Sequence, residues 1–278
     1  MRANAYQEYQ ADWGQVLDRA KALVAGGETS LARVLSLLNK PPGRSPNAKL
    51  LRRYGHRIAG KRVRGITDQA YEPILFEQTV RRELGKAIEP DTLNIVELGS
   101  GYSKNLFDIW LDGGPRNARY IGMEYTSAGR ECGSYLATLE PKIRYESLEF
   151  DYYRPSLPAS LGRDKTFVFT CYSIEQITRL DHKTFDALLE VPGLYKVVHI
   201  EPVGWQKGPR FLPFPTEPML WLSTRISARR TRYNTNLVEM LESLERAGRI
   251  VLEDPPKIDY LAHRPNLPGS ILTWSPRG

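Results

Sequence analysis

Three carboxylates in the sequence each follow a short apolar run, and the first of them stands beside two glycines. Glu97 lies in the segment NIVELGSGYS (94–103), whose glycines allow a tight turn and a close approach of the backbone to a ligand. Glu124 and Asp151 end the next two apolar runs. Carboxylates at neighbouring strand ends accept hydrogen bonds from the amino and hydroxyl groups of a nucleotide-like ligand. We therefore predict a cofactor site formed by these residues.

The charge and spacing of this segment distinguish between cofactor classes. The dinucleotide pattern GxGxxG requires a third glycine, and Lys104 occupies that position. Glu97 would also repel a pyrophosphate, whereas it would accept hydrogen bonds from a cationic group. S-adenosylmethionine carries an ammonium group beside its cationic sulfur, so we predict this cofactor, with S-adenosylhomocysteine as its product. Glu124 would accept hydrogen bonds from the ribose hydroxyls, and at the third strand end Phe150 would stack on adenine while Asp151 accepts from its amino group.

The elements that must position these residues follow from the apolar pattern after residue 90. Seven short runs are predicted to form strands: Leu93–Leu98, Tyr120–Met123, Ile143–Phe150, Thr166–Cys171, Lys196–Ile200, Ile250–Leu252 and Ser270–Trp274. Each of the first five is followed by a loop or a helical pattern, which predicts βαβ crossovers and a mostly parallel α/β sheet. The last two have no helix between them, so we expect them to form an antiparallel pair.

The first 90 residues have a different pattern. Apolar residues at helical spacing predict three helices: one with the stripe Trp13, Leu17, Ala20 and Val24, a second through Leu31–Leu38, and a third over Tyr71–Ala87. We expect residues 1–90 to form a helical extension or lid and residues 91–278 to form the cofactor-binding domain. Amphipathic helices of this kind are also a candidate surface for formation of a homo-oligomer.

The motif ELGSGYS (97–103), with Glu124 and Asp151 at the next two strand ends, resembles the class I S-adenosylmethionine-dependent methyltransferases over roughly residues 93–278. The resemblance implies a methyltransferase with a seven-stranded, mostly parallel, Rossmann-like sheet. Ser103 stands where this family usually has a third glycine. The residues that the resemblance assigns to the cofactor site are Glu97, Gly99, Ser100, Gly101, Glu124, Phe150, Asp151 and Cys171.

The same resemblance narrows the methyl acceptor. The segment FTCYSIEQ (169–176) ends the fourth strand, which in this family faces the acceptor. Members that methylate amines often carry an Asp/Asn-Pro-Pro-Tyr/Phe tetrapeptide there, and this chain does not. Metal-dependent catechol enzymes have an Asp-Asn pair after the fifth strand, where this chain has the segment HIEP (199–202), so we predict no metal. We expect O-methylation of a small molecule, at a hydroxyl or carboxylate oxygen.

A hydroxyl acceptor needs a general base, and three residues are candidates for this catalytic role. His199 is preferred because its ordinary pKa of about 6.5 suits proton transfer near neutral pH. Glu175 and Glu201 would orient the imidazole and stabilise its charged form. The structural alternatives are a histidine satisfied inside the fold and, for Glu175, a charge at a helix N-terminus.

Other residues near these strand ends are candidates for binding the acceptor. Tyr172 would contact the cofactor or the acceptor, or would only pack against neighbouring side chains. For Cys171 the alternative to the cofactor site is also a packing role. Trp205, with Phe211, Phe214 and Trp221, would form an apolar wall, or pack a proline-rich loop onto the sheet. Asn234 would bind a polar group, while Thr235 or Asn236 caps the following helix.

Composition bounds the remaining possibilities. Two cysteines do not make a disulfide framework, no apolar run approaches the ~20 residues of a membrane span, and a cytoplasmic protein is expected. The net charge is +7, and one basic stretch runs from Lys49 to Arg64 without an acidic residue. This stretch is a solvated surface, a site for an acidic small molecule, or a nucleic-acid site. An RNA methyltransferase and a catalytically silent binding scaffold therefore remain as alternatives.

Overall fold

A computed structural model describes residues 5–38, 56–58, 61–63, 77–206, 225–226, 228, 230–253, 255–264 and 267–278. The N-terminal part contains helices α1 (Ala5–Ala25) and α2 (Leu31–Leu38), a hairpin of β1 (His56–Ile58) and β2 (Lys61–Val63), and helix α3 (Glu77–Ala87). The predicted stripes of α1 and α2 are therefore helical. The hairpin lies between the second and the third predicted helix, where the sequence pattern indicated no element. The first part of the third predicted helix, residues 71–76, lies outside the described residues.

The rest of the chain alternates strands and helices. In chain order these are β3 (Asn94–Leu98), α4 (Lys104–Leu111), β4 (Arg119–Glu124), α5 (Ser127–Ala137), β5 (Arg144–Glu149), β6 (Thr166–Cys171), α6 (His182–Leu189), β7 (Leu194–Glu201), α7 (Leu237–Arg246), β8 (Ile250–Leu252), β9 (Lys257–Arg264) and β10 (Leu267–Pro276). The prediction of a mixed α/β chain with a mostly parallel sheet is confirmed.

The strand order creates a crevice at one edge of the sheet. The order is β5-β4-β3-β6-β7-β10-β8, with β3 to β7 parallel and β10 antiparallel to both of its neighbours. The chain moves outward from β3 to β5 and then returns to β6 on the other side of β3, so the order reverses between β3 and β6. Ligands of open α/β sheets bind beyond the carboxyl ends of the strands at such a reversal.

The sheet has eight strands, one more than the sequence pattern indicated. The additional strand, β9, pairs with the first half of β10 and follows two prolines, Pro255 and Pro256. Its sequence KIDYLAHR mixes charged and apolar residues, so it lacks a continuous apolar run. Only a strand that is buried on both faces needs such a run. The predicted antiparallel pair of β8 and β10 is present.

Two apolar clusters cover the two faces of the sheet. Helices α1 to α5 pack on one face and α6 and α7 on the other. Successive residues of β3 alternate between the clusters: Ile95 faces α4, whereas Val96 faces the opposite layer. The same alternation directs Glu97 toward α4. On β7 it directs His199 into the layer of Phe185 and α6.

Candidate active site

The glycine loop follows β3 at the carboxyl edge of the sheet. Gly99 has φ +70° and Gly101 has φ +55°, a backbone region that favours glycine. A Cβ on Gly99 would lie 2.5 Å from Cβ of Ser173, which follows β6. The loop therefore needs glycine at position 99 for two reasons, its dihedral angle and the close approach of the neighbouring strand end.

Glu97 places a carboxylate beneath this loop. It is 1% exposed, and its Oε1 accepts a hydrogen bond from Asn105 Nδ2 at 2.6 Å. Its Oε2 is buried and has no hydrogen-bond partner among the described residues. Burial raises the pKa of Glu97 to about 8, although the Asn105 bond and the charge of Lys104 act in the opposite direction. A buried carboxylate oxygen without a partner is costly, so this atom is suited to accept from a ligand.

Glu124 links the ends of β3 and β4. Its Oε2 accepts from the backbone N–H of Gly101 at 2.9 Å, and its Oε1 accepts from the backbone and the hydroxyl of Thr126. These three bonds fix the carboxylate while leaving acceptor capacity on Oε2. The side chain is 7% exposed. A ribose hydroxyl would be a suitable further donor.

The third predicted carboxylate, Asp151, follows β5. Its Oδ1 accepts from the backbone N–H of Tyr153 at 2.8 Å, and its Oδ2 lies 3.3 Å from Arg154 Nε. Phe150 is 3% exposed and packs edge-on against Tyr152, with ring centroids 4.9 Å apart. The ring is thus part of the core, and its stacking on adenine stays a prediction.

Serine replaces the usual third glycine because space is made for it elsewhere. Ser103 adopts φ 62°, and its Oγ lies 2.8 Å from Tyr145 Oη and 3.2 Å from Ser100 Oγ. A Cβ on Gly122 of β4 would overlap the Ser103 hydroxyl. The Ser103 side chain does not cap α4, since its hydroxyl is used in this polar cluster.

The segment after β6 faces the same crevice. Tyr172 has φ 52°, an uncommon conformation for a residue with a side chain, and its N–H donates to the carbonyl of Ile200 at 2.9 Å. Such backbone strain is concentrated at functional sites. Cys171 ends the strand as a free thiol, and burial raises its pKa, which keeps it protonated and disfavours a nucleophilic role.

Glu201 holds this segment in place. Its Oε1 accepts from the N–H groups of Ser173 and Ile174, both at 3.1 Å, and its Oε2 accepts from the N–H of Glu175 at 3.2 Å. Burial raises the pKa of Glu201 to about 7, while these donors favour the ionised form. The carboxylate thus anchors the short turn Ile174–Gln176, and the Glu175 side chain accepts from Gln176 Nε2 at 2.7 Å.

His199 lies within the core rather than in the crevice. It is 1% exposed; its Nδ1 lies 3.1 Å from Thr170 Oγ1, and its Nε2 accepts from Trp274 Nε1 at 3.0 Å. Burial lowers the pKa of His199 to about 3. Both ring nitrogens are used inside the fold, so this geometry gives no support to His199 as a general base. The Glu201 carboxylate is directed to the backbone of the turn after β6, and that of Glu175 accepts from Gln176.

Asn234 is a structural centre. It is 1% exposed; its Oδ1 accepts from the N–H groups of Asn236 and Leu237, and its Nδ2 donates to Ile177. Asn234, rather than Thr235 or Asn236, therefore caps the first N–H of α7 through its side chain. With these bonds made, the structure offers no free amide for an acceptor at Asn234.

Trp205 packs close to Asn234. Its indole N–H donates to the Asn234 carbonyl at 3.2 Å, and its ring stacks on Tyr233 with centroids 6.3 Å apart. These contacts match the packing alternative for Trp205. The other aromatic residues proposed for this wall, Phe211, Phe214 and Trp221, lie outside the described residues, as does most of the basic stretch 49–64.

Two residues of α1 lie close to the candidate site and were not predicted from the sequence to do so. Trp13 covers Gly101, and Gln10 accepts hydrogen bonds at the start of α5. Trp13 was expected only as part of the apolar stripe of α1. A sequence signal for this contact was present: Tyr6, Tyr9 and Trp13 are aromatic residues at helical spacing. An apolar stripe that only packs a helix does not require three aromatic residues.

Comparison with solved structures identifies the fold. The chain resembles magnesium protoporphyrin IX methyltransferase (ChlM) from Synechocystis PCC 6803, solved with bound SAH, with a TM-score of 0.50 and 11% identity over 73% of this chain and 82% of that one. A SAM-dependent methyltransferase from Aquifex aeolicus has a TM-score of 0.48 and 11% identity over 77% of this chain and 100% of that one. For the mitomycin 7-O-methyltransferase MmcR, the TM-score is 0.48 and the sequence identity is 13% over 75% of this chain. This chain has the fold of the class I S-adenosylmethionine-dependent methyltransferases.

The chain spans only part of the length of two of the proteins that it resembles. The chain spans 56% of MmcR and 58% of an O-methyltransferase from Nostoc punctiforme, so it corresponds to only part of those proteins. No protein-family model matches the sequence, and neither does any curated protein.

Two features are absent among the described residues, a metal-binding cluster and a membrane-spanning helix. These residues include no group of three or more histidine, cysteine, aspartate or glutamate side chains placed to hold a metal ion. Within the same residues, no helix combines the length and the apolar character needed to cross a bilayer.

Proposed function

We propose that this protein transfers a methyl group from S-adenosylmethionine to an oxygen atom of a small molecule. The observation that carries the proposal is the Glu97 carboxylate, which is buried beneath the glycine loop with one oxygen lacking a partner among the described residues. An ammonium group would satisfy that oxygen and would favour the ionised carboxylate. A pyrophosphate would offer that oxygen no donor, and its negative charge would disfavour the ionised carboxylate.

The residues at the crevice fit this cofactor in chemical type. Glu97 and the loop from Gly99 to Gly101 would hold its amino-acid end, Glu124 its ribose and Asp151 its adenine. When bound, the cofactor supplies a methyl group on a cationic sulfur, which needs no further activation. The protein must therefore align the acceptor oxygen and, for a hydroxyl, take its proton.

For the base we propose Glu175 in place of His199, because both nitrogens of His199 are used in the core. Glu175 stands on the turn that Glu201 anchors, directly after the strand end that faces the crevice. Glu201 would act as a positioning residue, since its carboxylate binds three backbone N–H groups of this turn. Tyr172, at the start of the same segment, remains the preferred residue for contact with the acceptor.

The proposal is tested first by cofactor binding. Isothermal titration of the purified chain with S-adenosylmethionine and S-adenosylhomocysteine should give saturable heats. Glu97→Gln should weaken both affinities by about tenfold or more, the range expected for loss of a charge-assisted hydrogen bond. Glu83→Gln, at another buried carboxylate that pairs with Lys257 and Lys86, is the matched control and should bind as the wild type.

Turnover then identifies the acceptor class. With methyl-labelled cofactor and a metabolite extract, label should enter a small molecule through an oxygen. Label in RNA would replace the proposed acceptor with nucleic acid. No binding of either cofactor form by folded protein would favour the silent scaffold and would end the proposal.

A further inference from the structure

Helix α1 lies across the two loops that form the proposed cofactor site. Trp13 covers the glycine loop: a Cβ on Gly101 would lie 2.8 Å from Cζ2 of the indole. The same ring packs against Tyr102, with centroids 5.4 Å apart, and stacks with Tyr9, with centroids 6.4 Å apart. The backbone of Gly101 thus lies against a rigid aromatic surface contributed by a distant part of the chain.

Gln10 holds the second loop from the same helix. Its Oε1 accepts from the backbone N–H of Ala128 at 3.1 Å and lies 3.3 Å from the hydroxyl of Ser127. These residues begin α5, whose first N–H groups have no partners within the helix. Close by, Tyr6 packs edge-on against Tyr125, with centroids 5.0 Å apart. Helix α1 therefore supplies an acceptor that the loop after β4 lacks on its own.

The two contacts meet at Glu124. The N–H of Gly101, beneath Trp13, donates to Glu124 Oε2, and Gln10 fixes the start of α5 a few residues after Glu124. Since the bond between Gly101 and Glu124 sets where the carboxylate points, movement of either loop would displace it. We propose that Trp13 and Gln10 are positioning residues for the cofactor, which hold the glycine loop and the Glu124 loop in their binding geometry. This inference rests on the proposed function.

The test uses point variants of the full chain. Trp13→Ala and Gln10→Ala should each raise the dissociation constant of S-adenosylhomocysteine by about tenfold and speed its release, measured by titration and stopped flow. The Michaelis constant for the methyl donor should rise while kcat changes little. Gln10→Glu should keep wild-type affinity, because a carboxylate accepts the same bonds and is favoured at a helix N-terminus.

A matched control separates loop positioning from docking of the helix. Lys21→Met removes an exposed ion pair between α1 and α5, Lys21 with Glu131 at 3.1 Å, remote from both loops, and should leave affinity unchanged. Amide hydrogen exchange at Gly101 and Ala128 should quicken in the Ala variants but not in Lys21→Met.

The outcomes distinguish the two proposals. Wild-type protein that binds neither cofactor form overturns the proposed function. Wild-type binding with unchanged affinity and release in folded Trp13→Ala and Gln10→Ala overturns the inference alone. An equal loss of affinity in Lys21→Met would also overturn it, because the effect would then be general undocking of α1.

Discussion

Trp274 donates its indole N–H to Nε2 of His199 over 3.0 Å, between the sheet and α6. Because an indole nitrogen only donates, Nε2 must be the unprotonated nitrogen of the ring. The proton therefore lies on Nδ1 and is donated to Thr170 Oγ1. One bond from a core tryptophan thus fixes the tautomer of His199 and keeps the ring neutral. A histidine at a strand end, which suggests catalysis in the sequence, is here a packing element.

This arrangement predicts how stability depends on pH. The pKa of His199 falls from 6.5 to about 3 on folding, so below pH 6.5 the unfolded chain takes up a proton that the folded chain does not. Folding stability should decrease as pH falls, with a contribution of about 2 kcal/mol from this group between pH 7 and pH 5. His199→Gln should lack that contribution in urea unfolding at the two pH values. The exposed His182→Gln variant should keep it; if His199→Gln also keeps it, the neutral buried ring is refuted.

Cofactor affinity should also increase with pH. With a pKa of about 8, Glu97 is protonated at pH 7 in the ligand-free protein, and a cationic ligand requires it ionised. Binding should therefore release a proton, and affinity should rise between pH 6 and pH 8, by at most about tenfold per unit. Titrations in buffers of different ionisation enthalpy measure the proton release. Glu97→Gln should bind weakly with a flat profile; a steep profile in that variant would assign the proton to another group.

Loss of the Glu201 carboxylate should affect the turn after β6 more than the cofactor. Glu201→Ala leaves three buried or half-buried N–H groups without their acceptor, which should lower the free energy of unfolding by about 2–4 kcal/mol. Once an acceptor is known, kcat should fall while the affinity for S-adenosylhomocysteine changes little. Glu201→Gln keeps one carbonyl acceptor and should show an intermediate loss. A fall in cofactor affinity that exceeds the fall in kcat would contradict the positioning role.

The contact between Gly122 and the Ser103 hydroxyl can be tested by substituting both residues. Gly122→Ala places a methyl group against the Ser103 hydroxyl and should destabilise the fold by about 1–3 kcal/mol, the usual cost of overpacking. Ser103→Gly in the same chain removes the hydroxyl and should recover part of this loss. The recovery is partial because Tyr145 also lies near the added methyl group. Thermal unfolding of the single and double variants measures the coupling; purely additive effects would disprove the contact.

The local pattern of the sequence was sufficient for the parallel strands and for the order of the strand-end carboxylates. Apolar runs such as Thr166–Cys171 are buried up to their last residue, and a strand covered on both faces must be continuously apolar. Lys257–Arg264 has no such run, so its strand could not be recognised. Its position depends on pairing with β10, and this pairing cannot be recognised from the strand's own residue pattern.

The sequence by itself determined that Glu97, Glu124 and Asp151 lie at the ends of successive strands, because residue type and the end of an apolar run are local properties. Only the tertiary structure decided which polar groups are already paired. His199, Asn234 and Glu201 are all polar residues beside strand or helix ends, yet their hydrogen bonds come from β10, from α7 and from the turn after β6. A side chain is available for chemistry only when its partners leave it free, and those partners are distant in sequence.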